Sequence, residues 1–487
     1  METNHLIGLD LIIAGLFIGV LFACFSARGR DAAFMLIILG AVYIDRMSVH
    51  FVSREWYRGT SRGFEFSLVD IVAVSLLAGL LLVRRSAQSL RLFWPASLAL
   101  MLVFFLWSCV SVMISEPKLF GAYELFAWVR GMVVFLAVVW FVRSERELKL
   151  FVLALGTIVC LQGLLAIKER YLGGYDRVTG SLHDPNSLST YLCMTGPVFL
   201  AAVTTVNLPM HLKALCAAAL TLATIGVVLT VSRTGVAVFA LLLAGTTVMC
   251  VSPRPTLKKA AIGVLVILGL TGLIYKSWDS LHERYTSATL EEESEEGRGV
   301  YLKTALIIVE DKFLGVGLNN WSYAVSKTYG VETGHRYENY DNTDFSRFAI
   351  DPENYEPGSY AEPAHNLAAL TAGELGVPGL AIFGLLWLRW FQMGAGFVLR
   401  WRRPTDLANR LGIGIFFGLC GIFLQSVTEW TFRQTPIFFT FNVLVGVLAS
   451  LYYQKRQQRK AERVRSIAAE QPAVAAYPYE PLAARRS

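Results

Sequence analysis

AHNLAALTAGELGVPGLAIFGLLW, residues 364–387, decides the fold: a hydrophilic stretch ends at His365-Asn366 and a long apolar run begins at once. A run of this kind is long enough to cross a bilayer as a helix, which takes about 20 residues. The acidic and aromatic stretch before it, 277–363, is a long connection of the kind that is usually functional or disordered. The boundary therefore brings an imidazole to a membrane surface, where it is able to act as a base near neutral pH.

The composition is that of a membrane protein. Of 487 residues, 54% are hydrophobic and only 17% are charged, and many apolar runs approach the length of a span. We predict an all-α, polytopic membrane protein with about 12–14 transmembrane helices. The net charge of +7 does not indicate nucleic-acid binding, because Lys and Arg cluster between the apolar runs, where they orient the chain. The seven cysteines show no disulfide or zinc spacing, and we find no cofactor or metal motif.

Thirteen apolar segments are predicted to span the membrane. They divide the chain into an N-terminal bundle of ten spans (1–276), a large loop containing short helices (277–363), three C-terminal spans (364–453) and a basic tail predicted to be disordered (454–487). The predicted spans are 6–25, 32–44, 67–83, 92–114, 122–142, 150–167, 187–205, 214–231, 235–251, 260–276, 364–391, 411–430 and 437–453.

The distribution of basic residues predicts the orientation. Alternate connections between spans are basic, as cytoplasmic connections are, and the basic tail lies on their side. The large loop falls on the opposite side and carries 17 Asp or Glu against 7 Lys or Arg. In a bacterial inner membrane the loop and the N-terminus are then periplasmic, and the C-terminus is cytoplasmic.

Groups suited to phosphate chemistry gather on the predicted periplasmic side. Arg233 stands in the tight Ser-Arg-Thr-Gly connection, Arg298 opens a helix in the large loop, and Arg177 precedes a predicted span. A guanidinium stays charged and grips phosphate oxygens with a planar fork, so Arg233 and Arg298 together suit a pyrophosphate without a metal. His365 is the candidate general base.

Each of these residues also has a plainer interpretation. An arginine at a helix end often extends to lipid headgroups, which is the alternative for Arg233. Arg298 follows an acidic run and is able to pair with it, a surface effect worth little. His365-Asn366 is also a plausible helix start, with Asn366 as the cap.

Three further polar residues lie at or inside predicted spans. Arg130 lies within the span 122–142, where charge is costly, so we expect it to face the bundle interior or a wet cavity. Asn186 either contacts a ligand or belongs to an ordinary Asp-Pro-Asn turn. Glu374 either pairs with a buried arginine or orients another group.

The loop helix carries an apolar face. Leu302, Leu306 and Val309 share one side of it, so the helix is expected either to lie on the membrane or to cap the bundle.

Four segments together resemble the bacterial superfamily of O-antigen ligases and O-antigen polymerases. They occur in the family's order around its large periplasmic loop, and together they cover the region from about 177 to 383. The segments are RVTGSLHDPNSLSTYL (177–192), LTVSRTGVAVFALLL (229–243), GRGVYLKTALIIVEDKFLGVGLNNW (297–321) and HNLAALTAGELGVPGLAIF (365–383).

The resemblance implies a fold and a chemistry. It implies a GT-C-like glycosyltransferase at the periplasmic face of the inner membrane, whose donor is a glycan on undecaprenyl pyrophosphate. By the family pattern, Arg233 and Arg298 hold the pyrophosphate and His365 is the base. The reaction is implied to be metal-independent and inverting, without a cofactor. Arg177, Asn186 and Arg130 are weaker candidates for substrate binding.

The acceptor stays open between members of the superfamily. We favour a polymerase of O-antigen or exopolysaccharide, with a second lipid-linked glycan as acceptor; the alternative is a ligase that transfers glycan to lipid A-core. The bilayer is a partner in either case, and other polysaccharide-assembly proteins are candidate partners. A transporter or flippase of lipid-linked sugars is the alternative from another class, and it would show repeated halves and broken helices. The sequence has no internal repeat.

Overall fold

The computed structural model describes residues 3–54, 56–83, 92–182, 184–251, 292–334, 360–399 and 405–470, and these are mostly helical. A two-stranded sheet and several 3₁₀ or π turns complete them. The helices are α1 (Thr3–Phe25), α2 (Ala27–Gly40), α3 (Leu68–Val83), α4 (Leu98–Ile114), α5 (Lys118–Phe141), α6 (Glu145–Tyr171), α7 (Pro185–Val203), α8 (Met210–Leu229), α9 (Arg233–Cys250), α10 (Glu292–Asp311), α11 (Trp321–Ala324), α12 (Gly330–Glu332), α13 (Leu367–Val398), α14 (Leu407–Gln425) and α15 (Thr435–Glu470).

The polytopic helical membrane architecture is confirmed. Within the described residues, seven helices are long and apolar enough to cross a membrane, namely α5, α6, α8, α9, α13, α14 and α15. Shorter apolar helices lie in α1, α3 and α4. Twelve of the thirteen predicted spans overlap a described helix, while 260–276 lies outside the described residues. The count of thirteen spans therefore stays a prediction.

The prediction of an all-α fold is wrong at one place, since a β-hairpin stands between α2 and α3. Strand β1 (Ser48–Phe51) pairs antiparallel with β2 (Phe64–Ser67), with Ser48 opposite Ser67. In both strands polar and apolar residues alternate, and the apolar ones are β-branched or aromatic, as is typical of strands. At four residues each, they are too short to stand out beside the apolar spans.

α7 is the central helix of the bundle, and almost all of its side chains are buried. It packs against α8, α9 and α14. Gly414, Gly418 and Gly421 of α14 lie directly on its backbone, where a Cβ at Gly418 would stand 2.2 Å from the carbonyl oxygen of Met194. Small residues at one face let two helices approach this closely, which stabilises packing in lipid.

α13 is broken near its start. Gly376 has a φ of 67°, which favours glycine, and Pro378 follows two residues later. The backbone groups released at the break pair with the loop after α10: Val316 and Gly317 donate from their amides to the carbonyls of Gly373 and Glu374, both at 2.9 Å. The predicted single span therefore begins with a short half-helix that carries His365 at its entrance.

α10 packs on this half-helix. Its Ala305 and Ile308 are buried against the start of α13, in a cluster with Trp321. Leu302 and Leu306 are 54% and 56% exposed, so the helix caps the bundle with a face other than the predicted apolar one. This packing helps to set the position of α10 relative to His365.

The predicted disordered tail is wrong over its first part. α15 continues as a helix to Glu470, well beyond the predicted end of its span at 453. The residues concerned, KRQQRKAERVR (455–465), are mostly strong helix formers, so a helix begun by packing in the bundle continues through them. Residues 471–487 lie outside the described residues.

Candidate functional site

The start of α13 is held to the connection between α14 and α15. Asn366 caps the helix, because its Oδ1 accepts from the amide of Ala369 at 2.9 Å. Its Nδ2 donates to the carbonyl of Val427, also at 2.9 Å, and the amide of Leu367 donates to the carbonyl of Ser426. The predicted capping role of Asn366 is confirmed, and the cap fixes His365 beside residues 426–434.

A chain of hydrogen bonds runs from His365 across three elements. His365 Nδ1 lies 2.9 Å from Oε2 of Glu429, and Oε1 of Glu429 accepts from Nδ2 of Asn186 at 2.8 Å. Oδ1 of Asn186 accepts from Nη2 of Arg177 at 3.3 Å, and Nε of Arg177 donates to the carbonyl of Thr230 at 3.3 Å. The chain joins three of the predicted site residues with Glu429, which the sequence analysis did not single out.

Glu429 favours the protonated form of His365. Its hydrogen bond and charge raise the pKa of His365 above its usual range, against the opposing effect of partial burial. Glu362 and Asp184 act in the same direction from further away. A carboxylate on Nδ1 orients the ring and makes the other nitrogen, Nε2, the stronger base, which is the general logic of carboxylate–histidine pairs.

Arg233 is the first residue of α9, after the N-cap Ser232. The chain reverses tightly at Val231, which has a φ of 52° and directly precedes the Ser-Arg-Thr-Gly connection in which the reversal was predicted. Gly235, the last residue of the predicted Ser-Arg-Thr-Gly connection, instead lies inside the first helical turn, where a Cβ would stand 1.8 Å from Oγ of Ser189. This close approach holds the Arg233 end of α9 against the first part of α7, the helix that carries Asn186.

Arg298 lies in α10 one turn before Tyr301, although its side chain is outside the described residues. The ring of Tyr301 lies against His365, with a centroid distance of 5.7 Å. Since three residues of helix rise only about 4.5 Å, the backbone of Arg298 is close to the histidine end of α13.

Arg130 faces the bundle interior, as predicted. It is 4% exposed and makes ion pairs with Asp70 at 2.9 Å and Glu65 at 3.0 Å. These contacts lie around the β-hairpin, outside the hydrogen-bond chain of His365. Arg130 also lines a cavity, so its proposed contact with substrate stays a prediction.

Glu374 pairs with a buried arginine, the first of its two predicted roles. The partner is Arg433, and both side chains are almost fully buried. Oε1 of Glu374 also accepts from the amide of Trp321 at 3.4 Å. Because Arg433 follows Glu429 by four residues, the pair ties the half-helix behind His365 to the segment that carries Glu429.

Several helix N-termini meet at this end of the bundle. α7 begins after its cap Asp184, α9 after Ser232 and α13 after Asn366. The backbone amides at a helix start carry partial positive charge and favour anions. A base with a carboxylate partner, an arginine and these termini are together suited to moving a proton beside a bound anion.

The match to known proteins falls on these same elements. Residues 218–384 match a family model described as O-antigen ligase. This part of the chain is therefore similar to the O-antigen ligase family. The match begins in α8, ends in α13 and contains Arg233, Arg298, His365 and Glu374, and it confirms the resemblance to the superfamily of O-antigen ligases and polymerases. A comparison with curated proteins gives no match.

The matched residues do not contain all of the groups around His365. Glu429 and Arg433 lie beyond its matched residues, in the connection EWTFRQTP (429–436) between α14 and α15. The sequence held one indication of their role, which came from the predicted topology. Two ionisable residues stand in a short connection, and the alternation of basic connections places this connection on the same side of the membrane as His365. The sequence analysis had placed Glu429 near the end of the predicted span 411–430.

Proposed function

We propose that this protein transfers a glycan from a polyprenyl-pyrophosphate carrier to a sugar hydroxyl at the periplasmic face of the inner membrane. The pairing of His365 with Glu429 is the observation that carries the proposal. The similarity of residues 218–384 to the O-antigen ligase family supports the class of reaction, a membrane glycosyl transfer.

The reaction follows from the groups at hand. The acceptor hydroxyl oxygen attacks the anomeric carbon of the donor sugar, and its proton passes to Nε2 of His365. The bond from the anomeric carbon to the pyrophosphate oxygen breaks, and the lipid pyrophosphate leaves with the electron pair. Glu429 stabilises the imidazolium that forms. Attack from the face opposite to the leaving group inverts the anomeric centre.

The leaving group needs positive charge. Arg233 at the start of α9 and Arg298 near the start of α10 are the proposed ligands of the pyrophosphate, assisted by the helix N-terminus of α9. Arg177 and Asn186 are engaged with each other and with protein groups, so their proposed contribution is to hold the start of α7 in place.

An assay with purified protein tests the transfer and the arginine clamp. With the producing strain's own lipid-linked glycan, we expect glycan transfer in detergent, unaffected by EDTA; a flippase would need two compartments. Arg233→Lys should reduce kcat/KM by about tenfold or more, because lysine keeps the charge but loses the planar fork. Arg389→Lys is the matched control, since Arg389 lies elsewhere on α13 and contacts the carbonyl of Ala96. Normal transfer by Arg233→Lys and Arg233→Ala would refute the clamp.

The pH profile tests the role of Glu429. His365 must be neutral to accept a proton, so the rate falls as the pH drops through its raised pKa. Glu429→Gln removes the charge that raises this pKa, so the acidic limb of the profile should move to lower pH. The rate on the plateau should also fall, because the imidazole becomes a weaker base. Glu332→Gln, an exposed carboxylate on α12, should leave the profile unchanged; an unmoved limb in Glu429→Gln would contradict the proposed pairing.

The orientation is part of the proposal. A periplasmic large loop and a cytoplasmic C-terminus follow from the alternating basic connections. A reporter fused after Tyr340 should behave as exported, and one fused after Arg465 as cytoplasmic. The reverse pattern would place the proposed site on the wrong face for a periplasmic donor.

The acceptor divides polymerase from ligase, and the glycan of a deletion strain distinguishes them. Loss of long chains with a single repeat still attached indicates a polymerase, the function that we favoured from the sequence. Loss of all attachment to lipid A-core indicates a ligase.

A further inference from the structure

A polar cavity lies beside the candidate site. It has a volume of about 400 Å³ and is lined by the β-hairpin and its loop, α5, Leu182, Asp184 and the segment 430–436. Trp430 in its wall follows Glu429 directly, and Asp184 in its wall precedes Asn186 by two residues. Asp184 in the wall also acts electrostatically on His365, so the cavity lies near the His365–Glu429 pair.

The wall combines aromatic rings with groups that donate and accept hydrogen bonds. Tyr123, Phe126 and Trp430 supply the rings, while Thr60 and Glu65 supply polar atoms. A sugar ring has apolar C–H faces and a rim of hydroxyls, so it is matched by this mixture of flat apolar and hydrogen-bonding surfaces. Arg62 and Arg130 line the cavity beside the carboxylates of Glu65 and Asp184, and Arg130 is already paired with Glu65 and Asp70, so the lining is of mixed charge and is not a dedicated anion site.

Glu65 has an acceptor that the described residues leave unused. Its Oε2 accepts from Nη1 of Arg130 at 3.0 Å and from Oγ1 of Thr435 at 3.2 Å. Its Oε1 is buried and has no hydrogen-bond partner within the described part of the chain. A buried carboxylate oxygen is costly when unsatisfied, and a ligand hydroxyl would satisfy it.

The hairpin separates this cavity from an apolar one. His50 and Glu65 are a cross-strand pair and line the polar cavity, while the next pair, Val49 and Phe66, lines an apolar cavity of about 490 Å³ beside α1 and α3. Successive residues of a strand point to opposite faces, so the residues that line the polar cavity and those that line the apolar cavity lie on opposite sides of the sheet. The polar cavity therefore presents more hydrogen-bonding groups to a ligand than the apolar one does.

The hairpin loop is held in shape before any ligand binds. Oδ1 of Asn319 accepts from the amide and the hydroxyl of Thr60, at 2.7 Å and 2.9 Å. Nδ2 of Asn319 donates to the carbonyls of Ser61 and Phe120, both at 2.8 Å, and Glu124 accepts from the hydroxyl of Ser61. A preformed wall lowers the entropic cost of binding.

We infer that this cavity binds a sugar residue of the acceptor glycan and presents its hydroxyl to His365. The inference rests on the proposed glycan transfer. An inverting displacement needs the acceptor on the side of the anomeric carbon opposite to the pyrophosphate. Arg233, the described half of the proposed pyrophosphate clamp, is not among the residues that line the cavity. The cavity is therefore assigned to the acceptor and not to the donor phosphates.

Filling the cavity tests the assignment. Ala127 on α5 lines it, whereas Val129, two residues further along the same helix, is 39% exposed on its outside. The probe is the free oligosaccharide that mild acid releases from the producing strain's lipid-linked repeat. Ligand-observed NMR on the full chain in detergent measures its binding, with inorganic pyrophosphate as the comparison ligand.

Binding of the oligosaccharide should weaken stepwise through Ala127→Val, Ala127→Leu and Ala127→Trp, by about tenfold or more at the last step, as expected when a ligand's space is occupied. Val129→Trp should bind as the wild type does, and pyrophosphate should be indifferent to all four variants. In the transfer assay the Ala127 series should raise KM for the acceptor and leave KM for the donor unchanged.

Two outcomes would overturn the inference: oligosaccharide binding that is unchanged in every folded Ala127 variant, or pyrophosphate binding that the Ala127 series abolishes. The failure of the proposed function is a different result. A wild-type protein that binds the oligosaccharide in this cavity but transfers no glycan would support the sugar site and refute the transferase.

Discussion

Replacing His365 with glutamine is expected to lower the turnover of glycan transfer by about 10²- to 10⁴-fold, the usual contribution of a general base. A sugar hydroxyl is far too weak an acid to be ionised near neutral pH, so its proton must leave as the new bond forms. Glutamine keeps the size of the side chain and a hydrogen bond towards Glu429, but it cannot accept that proton. Donor binding should change little, because the proposed clamp on the pyrophosphate is elsewhere.

The measurement is single-turnover transfer together with donor binding for His365→Gln and His365→Ala. His211→Gln is the matched control, because His211 is exposed in the first turn of α8 and should leave both quantities unchanged. Near-normal turnover in His365→Gln would make His365 a positioning residue. The proton acceptor would then be sought among the loop carboxylates or in a phosphate oxygen of the donor.

Removing either member of the Glu374–Arg433 pair is expected to destabilise the protein by about 3–5 kcal/mol, because the remaining charge stays buried without its partner. Glu374→Leu and Arg433→Leu should each show this loss in the free energy of unfolding, followed by denaturant titration in detergent. The double variant should be markedly more stable than either single one, since it leaves neither member of the pair buried without its partner.

The exposed pair of Lys149 and Glu145 provides the comparison. These residues stand one turn apart on α6, and Lys149→Ala should cost less than about 1 kcal/mol. Glu374→Leu should also lower transfer more than its loss of stability explains, because Glu374 and Arg433 tie together the segments that carry His365 and Glu429. A cost for Glu374→Leu no larger than for Lys149→Ala would show that the buried pair carries little stability.

The apolar pattern of the sequence determined the membrane class, the approximate positions of the helices and the place of His365 at the entrance of one of them. These features depend on local quantities: the length of an apolar run, and the polar residues that interrupt it. The capping role of Asn366 and the inward orientation of Arg130 were predictable for the same reason. A cap is a local hydrogen bond, and an intramembrane charge avoids lipid wherever the fold permits.

The packing faces were decided only by the tertiary structure. Leu302 and Leu306 were predicted to share the apolar face of α10, yet Ala305 and Ile308 are the residues that pack on α13. At a membrane surface apolar character does not distinguish contact with protein from contact with lipid, so hydropathy does not identify the buried face. The break at Gly376 likewise depends on a loop that pairs with the released backbone groups.

The chemistry of the site also depended on the fold. Glu429 lies 64 residues from His365, and Asn186 lies 243 residues from Glu429, so no local pattern joins them. The sequence supplied the histidine at a boundary and charged groups on one predicted side of the membrane. The 426–434 connection docks against the starts of α7 and α13, and this docking decided which carboxylate pairs with which cation. Ion pairs form between the buried charges that packing brings within about 4 Å of each other.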